Sequence, residues 1–307
     1  MRVAVASPSF CEHPTLCAEL LALHPTAKLN TALTKFDEQG LTDFLNGADA
    51  AILGLEPCTA RVIESLPDLK IVSKLGTGLD GVDLDALRRR GIRLGWTPGV
   101  NAPVVAELAV ALSIIGLRRL GQLNTAYKTG GDVSRRMGRQ LTGRRVGLHG
   151  FGAIGQAFAH LLQAFHCTIF ATDIADRRAE LARVGGTQVG LDDLLSQAEV
   201  LSIHLPLDTS TRGLYNGAML DRLRPDCLLV NTARGGIVDQ DALKQRLITG
   251  RLIAAAAEVL ADERDPDQDL LNLPNFFGTP HVGASAEEAR LAMGRVALRG
   301  LRENRVP

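Results

Sequence analysis

Three side chains spread along the chain are of types that handle protons and charge. His281 lies in Thr279-Pro280-His281-Val282-Gly283, and histidine is the usual general acid or base near neutral pH. Arg234 lies in Asn231-Thr232-Ala233-Arg234-Gly235-Gly236, just after an apolar run. Its planar fork suits a carboxylate, and its fixed charge suits a developing oxyanion. Glu263 lies in the charged segment Ala261-Asp262-Glu263-Arg264-Asp265. Singly, each has a plainer reading: an ion-pair partner, a satisfied structural histidine, a solvated loop. It is their occurrence together, in order, that gives them weight.

A second constellation binds rather than reacts. Arg145-Val146-Gly147-Leu148-His149 runs directly into Gly150-x-Gly152-x-x-Gly155, with Ala153 and Ile154 inside the turn, and Gln156–Phe165 then shows helical apolar spacing. In a strand–turn–helix setting the first glycine permits a tight turn, the second admits a pyrophosphate, and the third lets helix and strand pack closely. The free N–H groups and dipole of the helix start favour that anion. Asp173 ends the next apolar run, 18 residues beyond Gly155. A carboxylate there accepts hydrogen bonds from adenosine ribose hydroxyls and repels a 2′-phosphate, which selects NAD over NADP. Its plainer reading is a cap for the next helix. Arg177 and Arg178 follow closely, and a solvated helix face accounts for them better than phosphate binding does.

These residues need a scaffold. Short apolar runs at Val3–Ala6, Ala50–Leu53, Ile71–Lys74, Ile92–Gly95, Arg145–His149, Thr168–Ala171, Val200–His204, Leu228–Asn231 and Ile253–Ala257 alternate with longer helical patterns. Continuous rather than alternating runs suit parallel strands covered on both faces. The repeating order predicts an α/β protein of two doubly wound parallel-sheet domains, a Rossmann NAD-binding domain and a flavodoxin-like substrate domain. Asn101–Leu120 reads as one long helix, followed by a polar, glycine-bearing stretch over Gly121–Gly143. The last helical stretch, Ala284–Arg302, has no strand after it and could pack on either domain.

Composition narrows the partners. The 307 residues are 46% hydrophobic and 22% charged, with 34 basic and 34 acidic side chains, so net charge offers no attraction to nucleic acid or an acidic membrane. No apolar stretch approaches about 20 residues, the length of a membrane span. The five cysteines show no CxxC pair or metal-finger spacing, which fits free thiols in the cytoplasm and no metal site. The N-terminal apolar run is broken at Pro8 and reads as a first strand rather than a signal sequence.

Taken in order, the motifs resemble the D-isomer-specific 2-hydroxyacid dehydrogenases. The resemblance covers nearly the whole chain: Gly76-Thr77-Gly78-Leu79-Asp80-Gly81-Val82-Asp83, Ala106-Glu107-Leu108, Leu141-Thr142-Gly143, the glycine turn, His204-Leu205-Pro206, Asn231 to Asp239, and Thr279 to Gly283. The Gly-Thr-Gly segment leans towards the phosphoglycerate dehydrogenase branch. The resemblance implies an NAD-dependent oxidoreductase that moves a hydride between the nicotinamide and C2 of a D-2-hydroxy or 2-oxo acid. His281 would be the base for the substrate hydroxyl. Glu263 would fix its tautomer and raise its pKa, and Arg234 would bind the carboxylate and polarise the 2-oxo group. Backbone N–H groups at Gly76, Thr77 and Gly78 would hold the same carboxylate, with Thr77 also near the cofactor. Leu205 and Pro206 would line the adenosine or ribose side of the cofactor, and His204 would also be a cofactor-binding residue. Thr232 and Ala233 would line the nicotinamide side, with Glu258 and Gly283 close by. Residues 1–98, completed by 281–307, would form the substrate domain and 99–280 the NAD-binding domain, with catalysis in a closing cleft. A homodimer using the helix after Asn101 is also implied.

The chain departs from the family pattern in four places. Glu258-Val259 replaces the usual Asp-Val, whose aspartate faces the nicotinamide carboxamide. Arg264 replaces the proline after the catalytic glutamate, which would loosen that turn and could shift Glu263. Arg135, Arg136 and Met137 stand where a tryptophan is common, and near a substrate they would favour a doubly charged one. The chain ends soon after Asn304, so the final strand of the substrate domain looks truncated. Glu258 and Arg264 motivate an alternative from another class, an NAD(H)-sensing binding protein with little or no turnover. Two other oxidations fit less well. Phosphite oxidation calls for lysine where Thr77 stands, and Lys74 is three residues away; formate oxidation pairs its histidine with glutamine.

Overall fold

A computed structural model describes residues 1–133 and 137–307 and divides them into two compact units, Met1–Asn101 with Ser285–Pro307, and Ala102–Ala284. The first unit carries β1 (Val3–Val5), β2 (Lys28–Leu29), β3 (Ala50–Leu53), β4 (Ile71–Lys74) and β5 (Arg93–Gly95), in the order β2-β1-β3-β4-β5. The second carries β6 (Arg145–His149), β7 (Thr168–Thr172), β8 (Thr187–Gln188), β9 (Val200–Ile203), β10 (Leu228–Asn231), β11 (Ala254–Ala257) and β12 (Phe276–Gly278), in the order β12-β11-β10-β9-β6-β7-β8. Every strand pair in both sheets is parallel.

The continuous apolar runs are what such sheets require. All residues of β3, β4, β9, β10 and β11 are buried, because helices cover both faces. In the second unit neighbouring residues on one strand serve opposite cores. Val146, Leu148 and Val230 pack with Phe158 and Leu162, whereas Leu229 packs with Leu194, Tyr215 and Leu243. The strand order reverses between β6 and β9, with β7 and β8 continuing on one side and β9 to β12 on the other. Ligands of open α/β sheets bind beyond the strand C-termini at such a switch point.

The structure corrects the sequence reading in a few places. The helix expected over Asn101–Leu120 is Ala102–Arg118; Arg119 then adopts a left-handed conformation (φ 54°), and a second helix, Leu120–Thr129, occupies the start of the stretch read as polar loop. That helix ends on Gly130 at φ 69°, the conformation a glycine cap supplies without strain. The strands β2, β8 and β12 were not foreseen: they are two or three residues long and partly exposed, too short to show any period. Arg135 and Arg136 lie outside the described residues, and Met137 is exposed.

The last helix, Glu287–Gly300, packs within the first unit. The Ser73 hydroxyl donates to the Ala297 carbonyl at 2.6 Å; a Cβ on Gly95 would strike the Gly300 carbonyl, and one on Gly300 would strike the Ser73 hydroxyl. Beyond it Arg305 pairs antiparallel with Leu94, with N–H···O distances of 2.7 and 3.2 Å. A single strand-like bridge thus stands where a truncated strand was expected. Among the described residues no helix is long and apolar enough to cross a membrane, and all five cysteines are free thiols.

Candidate active site

The second unit gathers its chemistry at the C-terminal ends of its strands. His281 follows β12 by three residues, and its backbone N–H is shared between the carbonyls of Glu258 (2.8 Å) and Thr279 (3.0 Å). Its backbone is left-handed, at φ 52°, a conformation that costs a non-glycine residue energy and persists only where surroundings enforce it. The ring Nδ1 lies 2.8 and 3.0 Å from the two carboxylate oxygens of Glu263. A carboxylate only accepts, so Nδ1 carries a proton and Nε2 is left to exchange one. Both side chains remain open to solvent, His281 at 36% and Glu263 at 44%.

Arg264 does not displace Glu263. The Asp262 carboxylate accepts the N–H groups of Arg264 (2.9 Å) and Asp265 (3.1 Å) and holds the turn that a proline would otherwise stiffen. Gly235 brings the arginine segment against the chain that follows β11, because a Cβ there would collide with the Leu260 carbonyl. Arg234 is half-buried, and its Nη1 donates to the Ala233 carbonyl at 2.7 Å.

Asn231 is a positioning residue that sequence reasoning passed over. Its side-chain oxygen accepts from Ala233 N–H and its amide donates to the Arg234 carbonyl, both at 3.0 Å. The available signal was a polar side chain closing a fully apolar strand. Thr232 and Ala233 are buried beside it, and the Thr232 hydroxyl has no partner among the described residues.

Glu258 is 3% exposed, and burial pushes its carboxyl pKa up against the opposing pull of His281. It meets the histidine loop twice: its carbonyl accepts from His281, and its carboxyl group packs against Gly283. Its Oε2 has no hydrogen-bond partner among the described residues. A Cβ at Gly283 would run into the same carboxyl group.

The glycine turn fits a dinucleotide. Gly150 sits at φ 95°, and a Cβ on it would strike the His204 carbonyl; one on Gly155 would strike the Gly150 carbonyl. At Gly152, the N-cap of the helix Ala153–Leu162, a Cβ would meet open space. Clear space before a ten-residue helix start is what a pyrophosphate needs. Asp173 closes the turn, accepting from Phe151 N–H at 2.7 Å and Ala175 N–H at 2.9 Å. It does not cap the next helix, whose N-cap is Arg177. The Arg177 Nε stands 3.8 Å from Asp173, while Arg178 turns to Asp176.

Leu205 is partly and Pro206 well exposed beyond β9; both His204 ring nitrogens are buried without partners among the described residues, and burial pushes that imidazole down to about 3. In the first unit Gly76 adopts φ 94°, the Thr77 hydroxyl pairs with the Asn101 side chain at 3.2 Å, and Trp96 donates to the Thr77 carbonyl at 3.1 Å. Gly78 is half-buried. Lys74 is buried, with its ammonium on the Gly54 carbonyl.

Comparison with known proteins settles the family. Residues 110–283 match the model of the D-isomer specific 2-hydroxyacid dehydrogenase NAD binding domain. The chain belongs to the D-isomer-specific 2-hydroxyacid dehydrogenase family. It is an NAD-dependent oxidoreductase of that family. A hydroxypyruvate reductase of Thermotoga maritima is 37% identical over 240 residues, 77% of this chain and 78% of that protein. A D-3-phosphoglycerate dehydrogenase of Archaeoglobus fulgidus is 35% identical over 77% of this chain, which spans only 45% of that longer protein. A glyoxylate reductase from Paecilomyes thermophila superposes with TM-score 0.88 at 26% identity, covering 98% of this chain and 94% of that one. With Glu258 and Arg264 as they stand, the His281–Glu263 contact is in place.

Proposed function

We propose that this dehydrogenase interconverts a small D-2-hydroxy acid and its 2-oxo acid, with hydroxypyruvate as the representative substrate. The observation that carries the reading is the His281–Glu263 pair, which leaves one ring nitrogen free for substrate. A relative covered over 78% of its length is a hydroxypyruvate reductase, which favours a short acid without a phosphate.

Bound NAD(H) supplies or accepts the hydride at C2. The protein's part is to bind, orient and move one proton. Arg234 takes the substrate carboxylate on its fork, and its charge draws electron density to the 2-oxo oxygen. His281 Nε2 gives a proton to that oxygen in reduction and takes it back in oxidation, while Glu263 steadies the imidazolium formed in between. For the Gly76-Thr77-Gly78 turn the proposed part is backbone donors to the carboxylate. For Thr232, Ala233, Glu258 and Gly283 it is the wall beside the nicotinamide. For His204, Leu205, Pro206 and Asp173 it is the adenosine side.

We also propose that the protein is cytoplasmic and a homodimer. Free thiols support the first; Leu120 and Tyr127, exposed on the helix Leu120–Thr129, support the second. Light scattering on the purified chain reads the oligomer.

The deciding experiment is NADH oxidation with glyoxylate, hydroxypyruvate, pyruvate, longer 2-oxo acids and phosphohydroxypyruvate. Turnover greatest with hydroxypyruvate or glyoxylate is expected. Normal NADH binding with no turnover of any acid would overturn the reading in favour of a nucleotide-sensing protein.

A further inference from the structure

One polar pair under the glycine turn has no part in the chemistry above. His149 is the last residue of β6, one before Gly150, and lies in register with Thr172 on β7 and Ile203 on β9. The residues that follow those two partners are Asp173 and His204. His149 therefore stands at the switch point of the sheet, among the residues placed around the dinucleotide.

Its Nδ1 lies 2.7 Å from the hydroxyl of Tyr215, which is fully buried. Tyr215 is fixed by its backbone: its N–H donates to the Ile237 carbonyl at 3.0 Å and its carbonyl accepts from Asp239 at 3.2 Å. Burial pushes the phenol pKa up, so it keeps its proton. It has no other hydrogen-bond partner among the described residues, so the only way to satisfy its O–H is to donate it to Nδ1. The ring proton then sits on Nε2, at the other side of the imidazole. Burial also pushes the imidazole down to about 4, against the pull of the nearby Asp173 charge, so the ring is neutral at working pH.

A leucine or valine, as at Leu148 and Val146, would fill this strand position without burying a polar ring. We propose that His149 is a ligand of the ADP portion of the dinucleotide, held by Tyr215 in the tautomer that offers an Nε2–H to an oxygen acceptor there. The proposal rests on the dinucleotide occupying the glycine turn, and it makes Tyr215 a positioning residue that acts through His149.

Two substitutions separate this role from a core contact. H149N keeps an acceptor near Nδ1 for Tyr215 and removes the donor at Nε2; H149Q keeps a donor near Nε2. Dissociation constants for NADH and ADP-ribose are measured by calorimetry on the whole chain, with Tm recorded for each variant. Wild-type binding of both ligands checks the dinucleotide site itself. Loss of one neutral hydrogen bond weakens H149N roughly 5- to 10-fold for both ligands. H149Q should recover most of that, and Y215F should fall between. Equal affinity of H149N and wild type for ADP-ribose would overturn the proposal. So would H149Q and H149N weakened alike, or a loss confined to NADH.

Discussion

Gly283→Ala is the sharpest test of how the histidine loop is held. An added Cβ would lie 2.8 Å from both Cδ and Oε2 of Glu258 and closer still to Oε1, against an ordinary contact of 3.4–4 Å. The backbone is not the obstacle, since Gly283 is not in the left-handed region. The carboxyl must retreat from the place where it packs against Gly283. Overpacking a filled site costs about 1–3 kcal/mol, and a loss of that size is expected in urea unfolding. His281, two residues back, takes its backbone bond from the same glutamate, so kcat/KM should drop by an order of magnitude or more. Glu258→Asp shortens the side chain by one bond, about 1.5 Å, which clears the clash. In a double-mutant cycle the second substitution should therefore recover about 1–2 kcal/mol of the first. Additive losses, or G283A with wild-type stability and turnover, would show that Glu258 does not hold the loop.

Other expectations follow from the same geometry. Arg234→Lys should lower kcat/KM about 100-fold or more while leaving NADH affinity within about twofold, because a point charge cannot replace a fork; unchanged kcat/KM would remove the carboxylate from Arg234. Asp173→Ala should shift the NADPH-to-NADH preference ratio upward by about tenfold or more, since it removes a repulsive charge and releases Arg177, now 3.8 Å away, toward a 2′-phosphate; an unaltered ratio would mean another group reads the ribose. His149 and His204 are held down to about 4 and about 3 from 6.5. Both are neutral in the native state, so the unfolded chain binds protons first as pH falls below 6.5. Stability is then full above pH 6.5 and declines toward pH 4. Urea midpoints measured across that window should fall, less steeply in H149Q; a flat profile would contradict the burial of these rings.

The sequence made the parallel strands legible because burial on both faces leaves an unbroken apolar signature, as at Ala50–Leu53 and Leu228–Asn231. It missed Phe276–Gly278 and Thr187–Gln188, which are held by a neighbouring strand rather than by their own pattern. The left-handed turn at Arg119 was invisible for a related reason: Gly116 and Gly121 press against Leu228 and Phe277, contacts remote in sequence. Arg234, Glu263 and His281 were readable as types in order. What residue order could not convey was mutual support: Asn231 bracing the arginine segment, Asp262 doing a proline's work, Glu258 reaching Gly283, and Tyr215 dictating the tautomer of His149.

The hydrogen bond between Ser73 and Ala297 spans 224 residues of sequence. It belongs to a unit whose sheet is written at the start of the chain and whose covering helix, Glu287–Gly300, comes near the end. The second unit is one continuous stretch and can mature as it leaves the ribosome. The first must wait, with the face of β4 and β5 that receives the helix bare until residues 287–300 have been made. Nascent chains stalled before residue 285 should therefore carry a folded nucleotide-binding unit beside a protease-sensitive, chaperone-held N-terminal half.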